Sequence, residues 1–319
     1  MKKLLRSMTV CSLGALMLAG CANEATSSGS GDDVLKVVTT TDVYANIVKE
    51  VAGDQVEVTS LISSTSQDPH SYEATAADRL TVKDADLVVL NGGGYDQFLE
   101  DMAGKDNPDQ KIINAVEVSG LFDEEELKEL TEGHSHEEGE EHTHDHAALN
   151  EHIWYSFEAM KNVSDTVAKN LRELDAGKAD IYTAHADQFE NELDTLEKTA
   201  DGIDGKGMKF IATEPVPNYL LQSAKMEDAT PADFSSAIES DSDIAPLTMQ
   251  EVKEQLADGS VNFLGYNEQT ASHQTNEILQ TAQDHKIAHA SFTETLPEGK
   301  SYVDWMKDNI SHIKQALEK

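Results

Sequence analysis

A chain of 319 residues with 60 Asp and Glu against 24 Lys and Arg carries a formal net charge of −36. That balance excludes nucleic acid as a partner; its plainest meaning is solubility, and its sharper one a surface field that concentrates cations. The only cysteines, Cys11 and Cys21, fall near the N-terminus, so the body of the protein has no disulfide and depends on a hydrophobic core, which a chain of this length can build as two lobes.

Lys2, Lys3 and Arg6 precede a short apolar run that ends in Leu18-Ala19-Gly20-Cys21. This is an export signal over residues 1–20 with a lipobox: cleavage before Cys21 frees a thiol for diacylglycerol, which ties the chain to the lipid bilayer at the outer face of the cell membrane. The run is too short for the roughly 20 residues of a spanning helix. Residues 21–33, rich in Ser and Gly, read as a flexible tether.

From Val34 strands and helices alternate. VLKVVTT is a β-branched run, TDVYANIVKEVAGD has helical spacing, VEVTSLI is a strand, ATAADRLTVKDA a helix, DADLVVLNGGG a buried strand ending in glycines, and QKIINAV a further strand. Such alternation predicts a parallel sheet with both faces covered, with ligands beyond the carboxyl ends of its strands. Gly92 to Gly94 are not followed by a G-x-G-x-x-G or G-K-[ST] pattern, so they read as a turn rather than a phosphate loop. The N-terminal α/β lobe is expected over 34–130 and an acidic His-rich loop over 131–150. The end of that lobe and a long connecting helix follow over 151–205, the helix with Ile181, Phe189, Leu193, Leu196, Ala200 and Ile203 on its apolar stripe. The alternation resumes in a C-terminal α/β lobe over 206–319.

The acidic tract holds His134, His136, His142, His144 and His146 among glutamates. Its imidazoles suit loose zinc binding, but each ligand drawn from a mobile loop costs on the order of 1–2 kcal/mol per residue fixed. A solvated acidic loop that holds no metal is the alternative reading. His70, stiffened by the preceding proline in QDPHSYEAT, and His152 in NEHIWYS stand in chain that should be ordered. Each alone reads more readily as an ordinary hydrogen-bonded histidine than as a ligand.

The pieces DPHSYEATAAD, ADLVVLNGGGYDQFLEDM, NEHIWYS, KFIATEPVPNYL and FTETLPEGKSYVDWMKDNI, in this order, resemble the solute-binding lipoproteins of zinc and manganese ABC importers. The resemblance runs over nearly the whole chain from Val34 and includes an acidic His-rich insertion before the second histidine. It implies two lobes joined by a rigid long helix, with one metal in the cleft between them. On the matching positions it implies four ligands, His70, His152, Glu214 and Glu294, with Glu268 in YNEQT as the alternative fourth group and the histidines of the tract as auxiliaries. His185, His273, His285, His289 and His312 match no ligand position.

Two neutral imidazoles and two carboxylates would balance one divalent ion. Binding should then weaken below about pH 6, where free imidazole protonates. The implied function is capture of Zn²⁺, alternatively Mn²⁺, by a monomer that delivers it to an ABC permease and its ATPase subunit, with no reaction performed. A secreted zinc hydrolase is the rival reading, weakened by the absence of H-E-x-x-H and H-x-x-E-H and by a ligand shell with no open position. A surface metal buffer acting through the His-rich loop alone would leave the two lobes without a purpose.

Overall fold

The computed structural model describes residues 34–67, 69–132, 150–240 and 242–318. Cys21, the signal, the tether and the five histidines of the acidic tract lie outside these residues. In chain order the first half runs β1 (Leu35–Thr41), α1 (Asp42–Ala52), β2 (Val56–Ile62), α2 (Ala76–Lys83), β3 (Leu87–Leu90), α3 (Gln97–Glu100), β4 (Lys111–Asn114), α4 (Ala115–Val118) and α5 (Glu124–Glu132). Two long helices follow, α6 (Phe157–Leu174) and α7 (Ala179–Asp201). The second half runs β5 (Lys209–Ala212), α8 (Asn218–Ser223), β6 (Glu227–Asp228), α9 (Ala232–Glu239), α10 (Pro246–Asp258), β7 (Phe263–Asn267), α11 (His273–Asp284), β8 (Ala288–Phe292) and α12 (Tyr302–Leu317).

The strands form two sheets, ordered β2-β1-β3-β4 and β6-β5-β7-β8, with every neighbouring pair parallel. All four residues of β3 and all five of β7 are buried, as expected of central strands covered on both faces. Both orders reverse direction after the second strand, so each sheet has a switch point, between β1 and β3 and between β5 and β7. Crevices at the carboxyl ends of strands open at such points.

Local chemistry sets the helix starts. Thr75 and Asp78 form a capping box at α2, and Ser156 caps α6 by accepting from the Ala159 N–H. Helix α7 carries Tyr182, Phe189, Leu193 and Leu196 on its buried stripe and packs against α1, α6 and α12. One apolar core containing Tyr44, Trp154, Phe189, Phe263 and Tyr302 runs through both halves. Polar ties reinforce it: the Tyr302 hydroxyl donates to the Trp154 carbonyl at 2.6 Å, the Tyr155 hydroxyl to the Thr293 carbonyl at 2.8 Å, and the Leu296 N–H to Asp42 Oδ1 at 3.0 Å.

The triple glycine is a turn, and the reason is visible. The buried Asp96 carboxylate accepts the N–H of Gly92 at 2.8 Å and of Asn91 at 2.6 Å, together with the Thr40 hydroxyl, so a carboxylate of the chain itself already occupies the amides at the start of the turn. Asn91 in turn donates Nδ2 to the Glu151 carbonyl at 3.1 Å, which ties this turn to the segment carrying His152. Gly92 has φ +80°, and a Cβ there would meet Asn114 Oδ1 at 2.1 Å, displacing the side chain that accepts the Glu117 N–H at the start of α4. Gly92→Ala is therefore expected to cost about 2–4 kcal/mol from backbone strain and a lost cap, measured by urea unfolding of the metal-free protein.

Candidate metal centre

His70 follows β2 in a turn, His152 precedes a single 3-10 turn at Ile153–Tyr155, Glu214 follows β5 and Glu294 follows β8. The fold gathers all four. His70 Nε2 lies 3.6 Å and His152 Nε2 3.9 Å from Glu294 Oε2, and one donor atom from each of these three residues lies within 4.8 Å of the others. Zinc–ligand bonds of roughly 2.0–2.2 Å in a tetrahedron place ligand atoms about 3.4 Å apart, so small movements close this trio on an ion. Glu214 stands one step back. It lines a cavity with His70, and it is joined to Glu294 through Asn267, whose Nδ2 donates to Glu214 Oε2 and, at 2.8 Å, to Glu294 Oε1.

Burial and hydrogen bonding prepare these groups for a cation. His152, Glu214 and Glu294 are 0%, 1% and 0% exposed. Asn150 Oδ1 accepts from His152 Nδ1 at 2.8 Å, which leaves the lone pair on Nε2, the arrangement expected of a metal-ligating imidazole. Among the described residues neither His152 Nε2 nor Glu214 Oε1 has a hydrogen-bond partner; buried atoms of this kind normally find one. The donor set thus fits a divalent cation, which would complete both.

An aromatic collar closes the site. Tyr95 packs edge-on against His70, with ring centres 4.9 Å apart, and donates its hydroxyl to Glu294 Oε2 at 3.1 Å, while Trp154 lies 5.2 Å from the His152 ring. Burial, and then the Glu294 charge, hold the Tyr95 hydroxyl protonated well above the usual phenol range. Burial, and then the neighbouring Glu294, push the Glu214 carboxyl up to about 7. Burial, and then His70, hold His152 well below the usual imidazole value. The imidazole of His152 is therefore neutral at pH 7, and the proton on Glu214 competes with a cation at a higher pH than that of an ordinary carboxyl would.

Glu268 is not brought to the cluster. It adjoins Asn267 at the end of β7, and alternation along an extended chain turns it to the opposite side; it is exposed and lines a separate surface groove with His289 and Lys300. His273, His285, His289 and His312 are exposed, and His185 Nδ1 faces the Val51 carbonyl at 3.2 Å.

Several groups at the site have no sequence signature, namely Tyr95, Asn267, Thr270 and Gln269. The Thr270 hydroxyl donates to Glu214 Oε2 at 2.6 Å. Gln269 spans the two halves, its Oε1 accepting the N–H of Glu294 and of Thr295 while its Nε2 donates to the Gln67 carbonyl at 3.2 Å, in the loop that leads to His70.

Residues 37–316 match the family described as ZnuA, zinc-uptake complex component A, periplasmic. The chain belongs to this family. It is 27% identical over 338 aligned positions to the metal ABC transporter substrate-binding lipoprotein ScbA of Streptococcus cristatus, covering 98% of this chain and 99% of that protein. It is 26% identical to the manganese ABC transporter substrate-binding lipoprotein PsaA of Streptococcus mitis, over the full length of both. To the zinc-binding lipoprotein AdcA of Streptococcus pneumoniae it is 24% identical, over 100% of this chain and 62% of that protein. Among solved structures, the periplasmic zinc-binding protein TroA of Treponema pallidum has the same fold, with a TM-score of 0.69 at 21% identity, covering 89% of this chain and 99% of that one.

Because Gln269 fixes both the Glu294 backbone and the loop before His70, Gln269→Ala is expected to weaken divalent-cation binding about 10-fold, the lower range for groups that orient ligands. Competition titration against a chelating dye, with circular dichroism unchanged, checks this.

Proposed function

We propose that His70, His152, Glu214 and Glu294 hold one divalent transition-metal cation as cargo, and that the protein captures it outside the cytoplasm for an ABC permease and its ATPase subunit. The observation that carries this reading is the convergence of His70, His152 and Glu294 from three distant segments to within 4.8 Å, with unpartnered Nε2 and Oε1 atoms on His152 and Glu214 beside them. Relatives named as substrate-binding components of metal ABC transporters support the role in transport. The protein acts as a monomer held to the membrane through a lipidated Cys21, and the five histidines of the acidic tract are auxiliary, weaker ligands. It performs no reaction, since four protein ligands leave no open position for an activated water.

His70→Ala and His152→Ala each remove a ligand and are expected to weaken cation binding by more than about 100-fold, beyond the range for orienting groups. Isothermal titration measures the loss. Unchanged affinity in either variant, with an intact fold by circular dichroism, overturns the assignment.

Glu214 sets the pH response. Its carboxyl is raised in the folded, metal-free protein, so the stability this group contributes is present at low pH and is lost as pH rises through about 7. A bound cation replaces the proton. Binding therefore releases a proton below that pH, affinity falls as pH drops through it, and the rise in Tm on adding cation should grow from about pH 6 to about pH 8. Thermal melts with and without Zn²⁺ across that range test the sign.

The metal is Zn²⁺ or Mn²⁺, and relatives are named for each. Affinity at nitrogen and oxygen sites rises from Mn²⁺ toward the later divalent ions, so the isolated protein should bind Zn²⁺ more tightly. Two carboxylates narrow that gap. Glu214→His, which exchanges oxygen for nitrogen, is expected to widen it in competition titrations; an equal or smaller zinc preference removes Glu214 from the ligand set.

A further inference from the structure

His152 belongs to two sets of metal-ligating side chains. Beside the trio with His70 and Glu294, donor atoms of Glu151, His152 and Glu239 also lie within 4.8 Å of one another. Glu151 and Glu239 are half-buried where His152 and Glu294 are fully buried, so the second set lies further out. Glu239 closes α9, at the helix end where a carboxylate is disfavoured by the backbone dipole. It also lines, with His70 and Glu214, a cavity of about 300 Å³ whose lining adds Asp243 and, among the described residues, includes neither Lys nor Arg. Carboxylates gathered without a basic side chain repel one another and favour a cation between them. The side chain common to both sets is His152, 0% exposed and with no hydrogen bond on Nε2 among the described residues.

We propose that Glu151, His152 and Glu239 form an outer station for the divalent cation, from which His152, common to both sets, hands the ion to His70 and Glu294. This rests on the reading of His70, His152 and Glu294 as inner ligands. The cation exchanges one set of carboxylate and imidazole bonds for another without leaving His152, so it never has to cross the aromatic collar stripped of ligands.

An intermediate station and a final ligand differ in kinetics. Removing a station raises the barrier between solvent and inner site, which slows entry and exit alike; removing a final ligand speeds exit and weakens affinity. Stopped-flow Zn²⁺ association, and dissociation into excess chelator, can be followed by the fluorescence of Trp154, which lies against the His152 ring. In the full chain, Glu239→Gln and Glu151→Gln are each expected to lower the association and dissociation rates in parallel, roughly three- to fivefold, leaving Kd within about twofold. Glu251→Gln, at an exposed position on α10, serves as the control for net charge and should change neither rate. Melting of the metal-free variants confirms that they fold. Unchanged association rates in both Glu variants overturn the station, as does a weakened Kd with faster dissociation, which makes these residues final ligands or simple attractors of charge. If His70→Ala instead keeps tight Zn²⁺ binding with parental rates, the inner ligand set has failed, and the hand-off with it, whatever the two Glu variants do.

Discussion

Two carboxylates, Glu214 and Glu294, sit almost wholly buried beside each other with the neutral amide of Asn267 donating to both. Burying one anion costs several kcal/mol unless it is paired, and burying two together costs more. A lysine or arginine would be the usual solution, and it would also compete with any cation for the site. Here neutral donors supply much of the compensation, the Asn267 amide and the hydroxyls of Tyr95 and Thr270, with a proton retained on Glu214 near neutral pH. The amide and the hydroxyls hold the carboxylates in place without cancelling their charge. What they leave is an electrostatic deficit that a divalent cation would remove.

That arrangement depends on rigidity supplied from elsewhere. The four groups come from chain positions as far apart as His70 and Glu294, so their meeting is a property of how the two sheets are held. The continuous core through Trp154, Phe189 and Tyr302, the packing of α7 along α1, α6 and α12, and the tyrosine hydroxyls that reach backbone carbonyls near Trp154 and Thr293 all resist separation of the halves. The triple-glycine turn acts locally in the same sense. Its Asn91 holds the Glu151 carbonyl and its Tyr95 reaches Glu294, so one turn of the first half touches both the segment of the second histidine and a carboxylate of the second half.

Much of this was legible in the sequence. Strand β2 coincides with the run VEVTSLI, and the alternation of strands and helices implies the two parallel sheets, because buried β-branched runs and amphipathic stripes are local signals. Helix α7 ends two residues before Ile203, the last residue of the predicted stripe, as the chain turns at Gly202. The site was legible only in part. His70 and His152 stand out by residue type in ordered chain, whereas Glu214 and Glu294 are two among 60 acidic residues, and the resemblance to a family, not their local pattern, singled them out. The choice between Glu294 and Glu268 turns on which way a strand end faces, a fact of sheet pairing that no nearby residue encodes. Asn267, Gln269 and Tyr95 were invisible for the same reason: their partners lie 27, 202 and 199 residues away.

The same geometry bears on which cations are refused. Calcium takes six to eight oxygen ligands, and magnesium keeps several waters in a near-ideal octahedron. The cluster offers two carboxylates and two imidazoles, with Tyr95 and Trp154 packed against the imidazole rings. A hard cation entering it would give up water for nitrogen donors that it binds poorly, and the packed rings leave little room for the waters it would need to keep. Softer ions of the later first row lose less, because imidazole suits them and four ligands can complete their shell. With these four groups as ligands, selection against the abundant hard cations would follow from aromatic walls and nitrogen donors together, and the long-range negative field of the chain, which attracts every cation alike, would contribute to capture and not to choice.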